Sequence, residues 1–407
     1  MREKKLSVTV GSVCAVLFLA VMVLPATGLS AGPEKSVTIG YIGGLSGFSA
    51  QGETCMENGA KVAGDWINDN GGITVKGEKY RINVVSEDHK SNSDGAMAAA
   101  SKLVNDQKVK FIAGAVMPFT NIAINSVTEP GKVIHVAVYN VGTPDEFGPT
   151  TPYTFVAHNG TVEGINMMLD FIVKQHPEVK KIAFIDADDG SIPHVQPRVS
   201  QACKRTGLTM LGDIVSYSLD TVDFTPITKR ALARNPDAIA IVNGWSSMIG
   251  GVLRTARQSG FNKPIFDTNG QPAEDIPTAA GKENVGTYYI PSWIIGDPHN
   301  KSLPVGLELQ RRLKAKYGHE LIYGAGMGFD AIWMITQAIE AAQSFDPTAA
   351  KTKWETMKTM KSVFGTARLG GLKTYGINHY MTNPQSIVTY DSDGVPKVVT
   401  WMDPIAP

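Results

Sequence analysis

The loops that follow the apolar segments of this chain are rich in small, aromatic and neutral polar residues. Their candidate ligand-contacting residues are, in chain order, Ser46, Phe48, Pro118, Phe119, Thr120, Tyr139, Asn140, Asp189, Ser191, Trp245 and Asn269. Glycines beside them would let a ligand approach backbone amides, aromatic rings provide apolar walls, and Ser, Thr and Asn side chains offer uncharged hydrogen bonds. This combination predicts a binding cleft for a small polar molecule.

The glycines and aromatic residues of these loops also have a purely structural interpretation. Gly43 and Gly44 are equally consistent with simple turn glycines. Trp245, Tyr139 and Phe119 are equally consistent with packing in a core or a hinge. The sequence leaves both alternatives open.

Three carboxylates, Asp186, Asp188 and Asp189, follow one apolar segment. Their spacing does not match a calcium loop, because Gly190 falls where a ligand belongs and no late Glu follows. We therefore expect them to cap the next helix rather than to bind a metal.

Motifs for catalysis are missing from the sequence. It contains no Gly-x-Ser-x-Gly, no His-Glu-x-x-His and no Gly-x-x-x-x-Gly-Lys-Ser/Thr pattern. His135 and His158 are expected to be structural, and His299 and His319 have no carboxylate or cysteine partner at metal-ligand spacing. The sequence favours a protein that is not an enzyme and that needs no metal or cofactor.

Apolar segments alternate with amphipathic ones, and this alternation predicts the elements that position the loops. Val37–Ile42 is expected to form a strand and Glu57–Asn68 the following helix, and the alternation restarts with a helix over Gly164–Gln175. Strands such as Ala238–Val242 are apolar on both faces, which is typical of parallel strands covered by helices on both sides. Two successive sets predict an α/β protein with two doubly wound parallel-sheet lobes. Ligands of such sheets bind beyond the carboxyl ends of the strands, where these loops lie.

Residues 1–31 have the layout of a secretory signal peptide. A basic start with Arg2, Lys4 and Lys5 precedes the apolar run Val8–Leu24, and small residues follow that run. We expect cleavage after Gly28 or Ala31. An uncleaved anchor is the alternative, because the apolar run approaches the length that spans a bilayer.

Composition excludes some functions. The chain has 38 basic and 38 acidic residues. Residues 1–31 contain three basic residues and one acidic residue, so the rest of the chain has 35 basic and 37 acidic residues. This balance gives no reason to expect a nucleic-acid partner or an anionic membrane surface. The length indicates two domains.

Cys55 and Cys203 form no Cys-x-x-Cys motif, and we expect two free or buried thiols rather than a pair.

The chain also carries a series of short motifs in a fixed order. They are Ile39–Gly47, Asn58–Ala60, Trp66–Ile73, Glu87–Asp88, Ala98–Leu103, Phe111–Gly114, Asp223–Thr225, Asn235–Ala238, Ala256–Gly260 and Gly328–Ala331. In type and order these motifs resemble those of leucine/isoleucine/valine-type periplasmic binding proteins, which serve ABC transporters. The resemblance covers essentially the whole chain after residue 31.

This resemblance implies a type I periplasmic binding fold, in which two lobes joined by three crossings close over a ligand in the cleft. The N-terminal lobe is expected at 34–152 and 282–370, and the C-terminal lobe at 153–281 and 371–407. The implied function is capture of a small polar organic ligand for an ABC permease in the inner membrane. The implied protein is periplasmic and monomeric, has no cofactor and is not an enzyme.

The family's binding site can be transferred residue by residue. Tyr323 and Trp245 match aromatic residues that the family uses, whereas Asn269 stands where relatives have the acid that binds an α-ammonium group. An unpaired buried charge costs several kcal/mol. The change therefore argues against a standard aliphatic amino acid, unless Asp267 or Asp189 replaces the missing acid.

We therefore expect a cleft with aromatic walls for a small polar ligand. It would take a modified amino acid, an amide or an organic acid whose carboxylate meets loop amides near Ser46 and Thr120. Two other functions remain open. A ligand-sensing periplasmic receptor domain would normally be joined to a membrane span or signalling module, and a secreted enzyme would need reactive groups that the motifs do not provide.

Overall fold

The computed structural model describes residues 35–294, 303–319 and 322–403. The predicted signal peptide lies outside these residues. Within the described ranges, none of the helices combines the length and the apolar character needed to span a bilayer.

The first part of the chain alternates strands and helices as the sequence predicts. Its elements are β1 (Ser36–Gly43), α1 (Ala50–Asp69), β2 (Ile73–Val75), β3 (Glu78–Asp88), α2 (Ser93–Ser101, continued by a π-helical turn over Lys102–Asp106), β4 (Phe111–Gly114), α3 (Pro118–Thr128), β5 (Ile134–Ala137) and β6 (Thr154–Val156).

The second part repeats the alternation. Its elements are α4 (Thr161–Gln175), β7 (Lys181–Ala187), α5 (Ile192–Thr206), β8 (Thr209–Met210), β9 (Val215–Tyr217), α6 (Thr225–Leu232), β10 (Ala238–Ile241), α7 (Ser246–Gln258), β11 (Ile265–Asp267), α8 (Asp275–Ala280), a 3₁₀ turn over Lys282–Asn284 and β12 (Tyr288–Ser292).

The last part adds two long helices and a set of short strands. Its elements are α9 (Pro304–Tyr317), α10 (Ile322–Ala342), α11 (Pro347–Trp354), β13 (Thr359–Ser362), β14 (Gly365–Gly370), α12 (Leu372–Tyr375), β15 (Tyr380–Thr382), β16 (Gln385–Tyr390) and β17 (Pro396–Met402).

The strands form two separate sheets, which define two lobes. Among the described residues, the N-terminal lobe contains a nine-stranded sheet in the order β13-β14-β15-β6-β5-β4-β1-β3-β2. The C-terminal lobe contains an eight-stranded sheet in the order β17-β16-β12-β11-β10-β7-β8, with β9 also paired to β7. Central pairs such as β1 with β4 and β7 with β10 are parallel, whereas pairs near the edges such as β2 with β3 and β16 with β17 are antiparallel.

The strand pairing places the three crossings between the lobes slightly later in the chain than the predicted boundaries. β6 at Thr154–Val156 pairs in the N-terminal sheet, β12 at Tyr288–Ser292 in the C-terminal sheet, and β15 at Tyr380–Thr382 in the N-terminal sheet. The sequence prediction places the boundaries at residues 152, 281 and 370. Each of these residues precedes the last strand that the chain adds to a sheet before it crosses to the other lobe, namely β6, β12 and β15 respectively. A short strand next to a hinge has no helix-length pattern to mark it, which explains the shift.

Two of the crossings are bonded to each other. The Asn159 side-chain amide donates to the Asn383 backbone carbonyl at 2.6 Å, and the Asn383 backbone N–H donates to Asn159 Oδ1 at 2.9 Å. This pair holds the first and third crossings side by side at the hinge.

The N-terminal lobe is held together by close packing of α1 on α10. A Cβ on Gly59 would lie 1.8 Å from the Ala325 carbonyl oxygen, and one on Gly328 would lie 1.9 Å from the Met56 carbonyl oxygen. Each helix therefore uses a glycine to accept the backbone of the other. Cys55 and Cys203 are both buried thiols, and neither forms a disulfide among the described residues, which agrees with the sequence-based expectation.

Candidate functional site

A cavity of about 350 Å³ lies between the loops at the carboxyl ends of both sheets. In the N-terminal lobe, β1 and β4 are neighbours in the sheet, and the chain continues from them to strands on opposite sides of the pair. β7 and β10 have the same arrangement in the C-terminal lobe. Loops that diverge in this way open a crevice, which is the usual ligand site of doubly wound sheets. The size suits a small organic molecule.

The two lobes contribute different walls. The N-terminal lobe lines the cavity with Phe48, Gly52, Cys55, Met56, Val116, Met117, Tyr139, Val141, Tyr323, Gly324 and Met327. The C-terminal lobe lines it with Ala187, Asp189, Leu219, Asp220, Thr221, Val222, Asn243, Trp245, Ser246, Ser247, Met248, Asn269, Gly270, Gln271, Pro272 and Asp275. One wall is thus largely apolar, and the other is polar and acidic.

The structure brings half of the sequence-predicted site residues into this lining. They are Phe48, Tyr139, Asp189, Trp245, Asn269 and Tyr323. They come from both lobes and from six separate segments of the chain, so the lining can be complete only when the lobes face each other.

The other six predicted residues lie near the cavity without lining it. They are Ser46, Pro118, Phe119, Thr120, Asn140 and Ser191. Ser46 Oγ donates to Asp88 at 2.6 Å, and Thr120 Oγ1 donates to the Met117 carbonyl at 2.8 Å. Ser191 Oγ donates to Asp189 Oδ1 at 2.5 Å, which orients a carboxylate that does line the cavity.

Tyr139 is linked to the C-terminal lobe by hydrogen bonds. Its Oη donates to Asn243 Oδ1 at 3.2 Å and lies 2.9 Å from Thr161 Oγ1, which itself donates to Asn243 Oδ1 at 2.8 Å. The Asn243 amide donates to Asp186 at 3.1 Å. Asn243 lies two residues after the end of β10, and this position was the signal that could have identified it as a cavity residue.

Tyr323 makes a second link between the lobes. Its Oη, on α10, donates to the Asn269 carbonyl at 3.0 Å and accepts a bond from Gln385 Nε2 at 2.8 Å. Burial raises the pKa of Tyr323 above its usual range, so the phenol stays neutral and remains a donor. The hydroxyl thus joins α10, the loop after β11 and the third crossing.

The acidic wall contains carboxylates in partly or fully buried positions. Burial is the main factor that raises the pKa of Asp189 and that of Asp275, which begins α8. Asp267, at the end of β11, is fully buried, and burial raises its pKa to about 7 even though its Oδ1 accepts the amides of Asn269 at 2.6 Å and Gly270 at 3.0 Å. Burial disfavours the charged form of a carboxyl group, so these three groups hold a proton at a higher pH than exposed aspartates do.

The lobes touch where α1 meets the loop after β10. A Cβ on Gly52 would lie 2.3 Å from Cζ3 of Trp245, so only glycine allows the indole to reach this position against the helix. Gly52 could not be predicted as a contact residue from the sequence, because a glycine inside a helix has several structural explanations.

Replacing Gly52 with alanine is expected to hold the lobes apart. The added methyl group must displace Trp245 or open the cleft, since the contact distance is far below van der Waals separation. Small-angle X-ray scattering should show a larger radius of gyration for the variant than for the parent protein. Gly64→Ala is the matched control in the same helix, because its Cβ would meet side chains of the same lobe, with Val84 nearest at 2.9 Å. Identical scattering for Gly52→Ala and the parent would contradict this role.

Two lobes with opposed strand ends and a ligand-sized cavity between them define a two-lobed solute-binding protein. The chain belongs to the periplasmic binding protein family, whose model matches residues 36–394. Membership of this family confirms the prediction of a binding protein rather than an enzyme, and it confirms the type I periplasmic binding fold.

Individual relatives agree with the family. Over 326 residues the chain is 22% identical to Leu/Ile/Val-binding protein homolog 3 of Brucella melitensis, a match that covers 80% of this chain and 84% of the relative. The fold of the present chain is similar to that of the branched-chain amino acid transporter substrate-binding protein LivJ of Streptococcus pneumoniae in complex with isoleucine. The identity is 20%, the TM-score is 0.72, and the match covers 92% of the present chain and 100% of LivJ. The present chain is equally similar to an ABC transporter solute-binding protein of Rhodopseudomonas palustris in complex with 3,4-dihydroxybenzoic acid, with 17% identity, a TM-score of 0.74 and coverage of 91% and 98%.

Proposed function

We propose that this protein captures a small polar organic ligand by closure of its two lobes and delivers it to an ABC permease. The observation that carries the proposal is the cavity of about 350 Å³ lined by both lobes. A site divided between two hinged bodies binds its ligand only in the closed state, which couples binding to a change of shape that a partner can recognise.

The proposal includes export and a membrane partner. The layout of residues 1–31 supports a signal peptide, and the similar solved structures include ABC transporter binding proteins. We propose that the mature protein works in the periplasm as a monomer, with the permease in the inner membrane as its partner.

The proposed ligand classes are amino acids, their derivatives, amides and small organic acids. Relatives of similar fold hold isoleucine in one case and 3,4-dihydroxybenzoic acid in another. Aromatic side chains from both lobes line the cavity here, namely Phe48, Tyr139, Trp245 and Tyr323. They suit a ligand with an apolar or aromatic body and a polar end.

Replacing Trp245 with alanine is expected to weaken ligand binding by about 10- to 100-fold, because a buried aromatic anchor in a binding site contributes roughly 1–3 kcal/mol. The ligand that co-purifies with the parent protein would be identified by mass spectrometry and its affinity measured by calorimetry. Tyr323→Ala should have a similar effect.

Tyr317→Ala is the control for these two variants. Tyr317 is an aromatic residue at the end of α9, outside the cavity lining. If Trp245→Ala and Tyr323→Ala hold the ligand as tightly as the parent and the control do, the cavity is not the binding site.

A further inference from the structure

Glu146 is a fully buried residue in the segment between β5 and β6, and it lies outside the cavity lining. Its Oε2 accepts the backbone amides of Val141 at 3.1 Å and Gly142 at 3.2 Å, and its Oε1 accepts Asn121 Nδ2 at 2.8 Å. Asn121 is itself fully buried on α3. The carboxyl group thus joins the turn that follows Tyr139 to a side chain of the neighbouring helix.

The same contacts extend to the wall of the cavity. Tyr139 and Val141 both line it. Asn121 Nδ2 donates to the Tyr139 carbonyl at 3.1 Å as well as to Glu146, so one amide group connects the carboxyl group to the backbone of Tyr139. The Tyr139 hydroxyl in turn donates to Asn243 in the C-terminal lobe. Glu146 is therefore connected through Tyr139 to one of the links between the lobes.

The contacts of Glu146 suit its ionised form. Each hydrogen bond that its two side-chain oxygens make among the described residues comes from an N–H donor, so a proton on either oxygen would face a donor. Asn121 Oδ1 is buried and has no hydrogen-bond partner in the part of the chain that the structure describes. Exchanging the two ends of this amide would let Oδ1 accept the carboxyl proton, but it would also take the donor away from the Tyr139 carbonyl.

Burial opposes the ionised form. It raises the pKa of Glu146 to about 7, although Asn121 and the backbone amides lower it. The carboxyl group is therefore close to half ionised at neutral pH. A small change in pH then changes the fraction of molecules in which all of these contacts are made.

Two titratable groups face Glu146 from other elements. Asp189, in the C-terminal lobe, repels the carboxylate and contributes to its raised pKa. His135 Nδ1, on β5, lies 2.7 Å from Asn125 Oδ1, and the Asn125 amide donates to the Glu146 carbonyl at 2.8 Å. Burial lowers the pKa of His135 to about 4, so this imidazole stays neutral near pH 7.

The flanking helices carry two further carboxyl groups. Glu129 ends α3 and Glu163 lies in the first turn of α4, and burial is the main factor that raises the pKa of each. Because more than one group near this segment changes its charge with pH, a pH effect is assigned to Glu146 only through a variant at that position.

We propose that Glu146 is a positioning residue for ligand binding. Its carboxylate holds the part of the cavity wall formed by Tyr139 and Val141, and loss of the ionised form loosens this wall and the link from Tyr139 to the C-terminal lobe. The effect on ligand affinity rests on the proposed function, whereas the effect on the segment is measured without a ligand.

Hydrogen–deuterium exchange of the ligand-free protein tests the effect on the segment. A group with a pKa of about 7 is mostly ionised at pH 8 and mostly protonated at pH 6. After correction for intrinsic exchange rates, protection of residues 138–147 in the parent should therefore fall about five-fold from pH 8 to pH 6. Glu146→Gln should show the lower protection at both pH values, because its amide group meets that of Asn121 donor to donor.

Asp330→Asn is the matched control. Asp330 is a fully buried carboxyl group of the same lobe with a pKa of about 7, and it lies outside the cavity lining. This variant should keep the pH dependence of the parent in residues 138–147. Equal protection of the segment in the parent at both pH values would overturn the inference, and this measurement decides it even if Glu146→Gln does not fold. Full protection of the segment in a folded Glu146→Gln variant would overturn it as well.

Ligand titration measures the consequence for binding. The probes are L-isoleucine and 3,4-dihydroxybenzoate, which belong to the proposed ligand classes. A probe that binds the parent should bind about five-fold more weakly at pH 6 than at pH 8 in calorimetry, and Glu146→Gln should bind it equally weakly at both pH values. An affinity of Glu146→Gln that equals that of the parent at pH 8 would overturn the role in binding. If neither probe binds the parent, the proposed function loses support, while the exchange measurement still decides the role of Glu146.

Discussion

Gly328→Ala is expected to lower the free energy of unfolding by about 2–4 kcal/mol, and Gly59→Ala should do the same. In each case the new methyl group would lie within 2 Å of a backbone carbonyl oxygen of the opposite helix, at 1.9 Å and 1.8 Å respectively. A backbone atom cannot rotate away as a side chain can, so α1 and α10 must separate. The gain in helix propensity from glycine to alanine is only about 1 kcal/mol and does not offset the overpacking. Chemical denaturation followed by circular dichroism measures the difference.

Gly324→Ala is the matched control in α10. Its Cβ would lie 3.5 Å from Cys55 Sγ, which is ordinary van der Waals contact. This variant should be as stable as the parent or slightly more stable. If Gly328→Ala and Gly59→Ala also keep the stability of the parent, the two helices do not pack as closely as described.

These glycines explain two of the sequence motifs in physical terms. Asn58–Ala60 and Gly328–Ala331 contain the two residues at which α1 and α10 exchange close contacts. Asp330, in the second motif, accepts bonds from the Ser362 hydroxyl and from the Val363 amide, at 2.8 Å for the latter. It therefore fixes the β13–β14 hairpin to α10. The motifs thus record the packing of the lobe and not ligand contacts.

The doubly wound lobes could be predicted because their central strands carry a strong local signal. Strands such as β10 are fully buried on both faces, and the helices between them have the expected length. The chain after α10 was not predicted in the same way. There the strands have three to seven residues, and most of their pairings are antiparallel. β13 alternates exposed and buried residues, whereas β15 is fully buried but has only three residues, so no long apolar run marks either strand.

The site could be predicted only to the level of its loops. Phe48, Tyr139, Asp189, Trp245 and Asn269 line the cavity, as the strand-end rule predicts. The rule does not give the direction of a side chain. The Thr120 hydroxyl turns back onto its own helix, and Asn140 is buried beside the hinge at 1% exposure. Gly52 and Asn243 were missed because their roles depend on contacts with the other lobe.

The protein is expected to be more stable at pH 5.5 than at pH 8. Burial raises the pKa of Glu146, Asp267 and Asp330 to about 7. In the unfolded chain these groups return to ordinary values near 4. Between about pH 4 and 7 the folded protein therefore binds more protons than the unfolded chain, and stability falls as the pH rises through this window.

Three buried histidines, His135, His158 and His379, act in the opposite direction. Burial lowers the pKa of His135 and of His158 to about 4, so below pH 6.5 the unfolded chain binds protons that the folded protein does not. Their effect makes stability fall as the pH drops from about 6.5 to 4. Carboxyl groups nevertheless outnumber the histidines, because burial also raises the pKa of Glu163 and raises that of Asp186 well above its usual range. The net slope from pH 5.5 to 7 therefore favours the acidic side.

Asp330→Asn isolates one of these contributions. The asparagine keeps a carbonyl oxygen for the Val363 amide and can face the Ser362 hydroxyl with its own amide, so the shape of the contact is retained. The variant should lose one titrating proton and with it up to roughly 1.4 kcal/mol of stability change per pH unit. Melting temperatures measured from pH 5 to 8 should thus fall less steeply for the variant than for the parent. A parent protein that becomes more stable between pH 5.5 and 8 would show that these carboxyl groups ionise normally despite their burial.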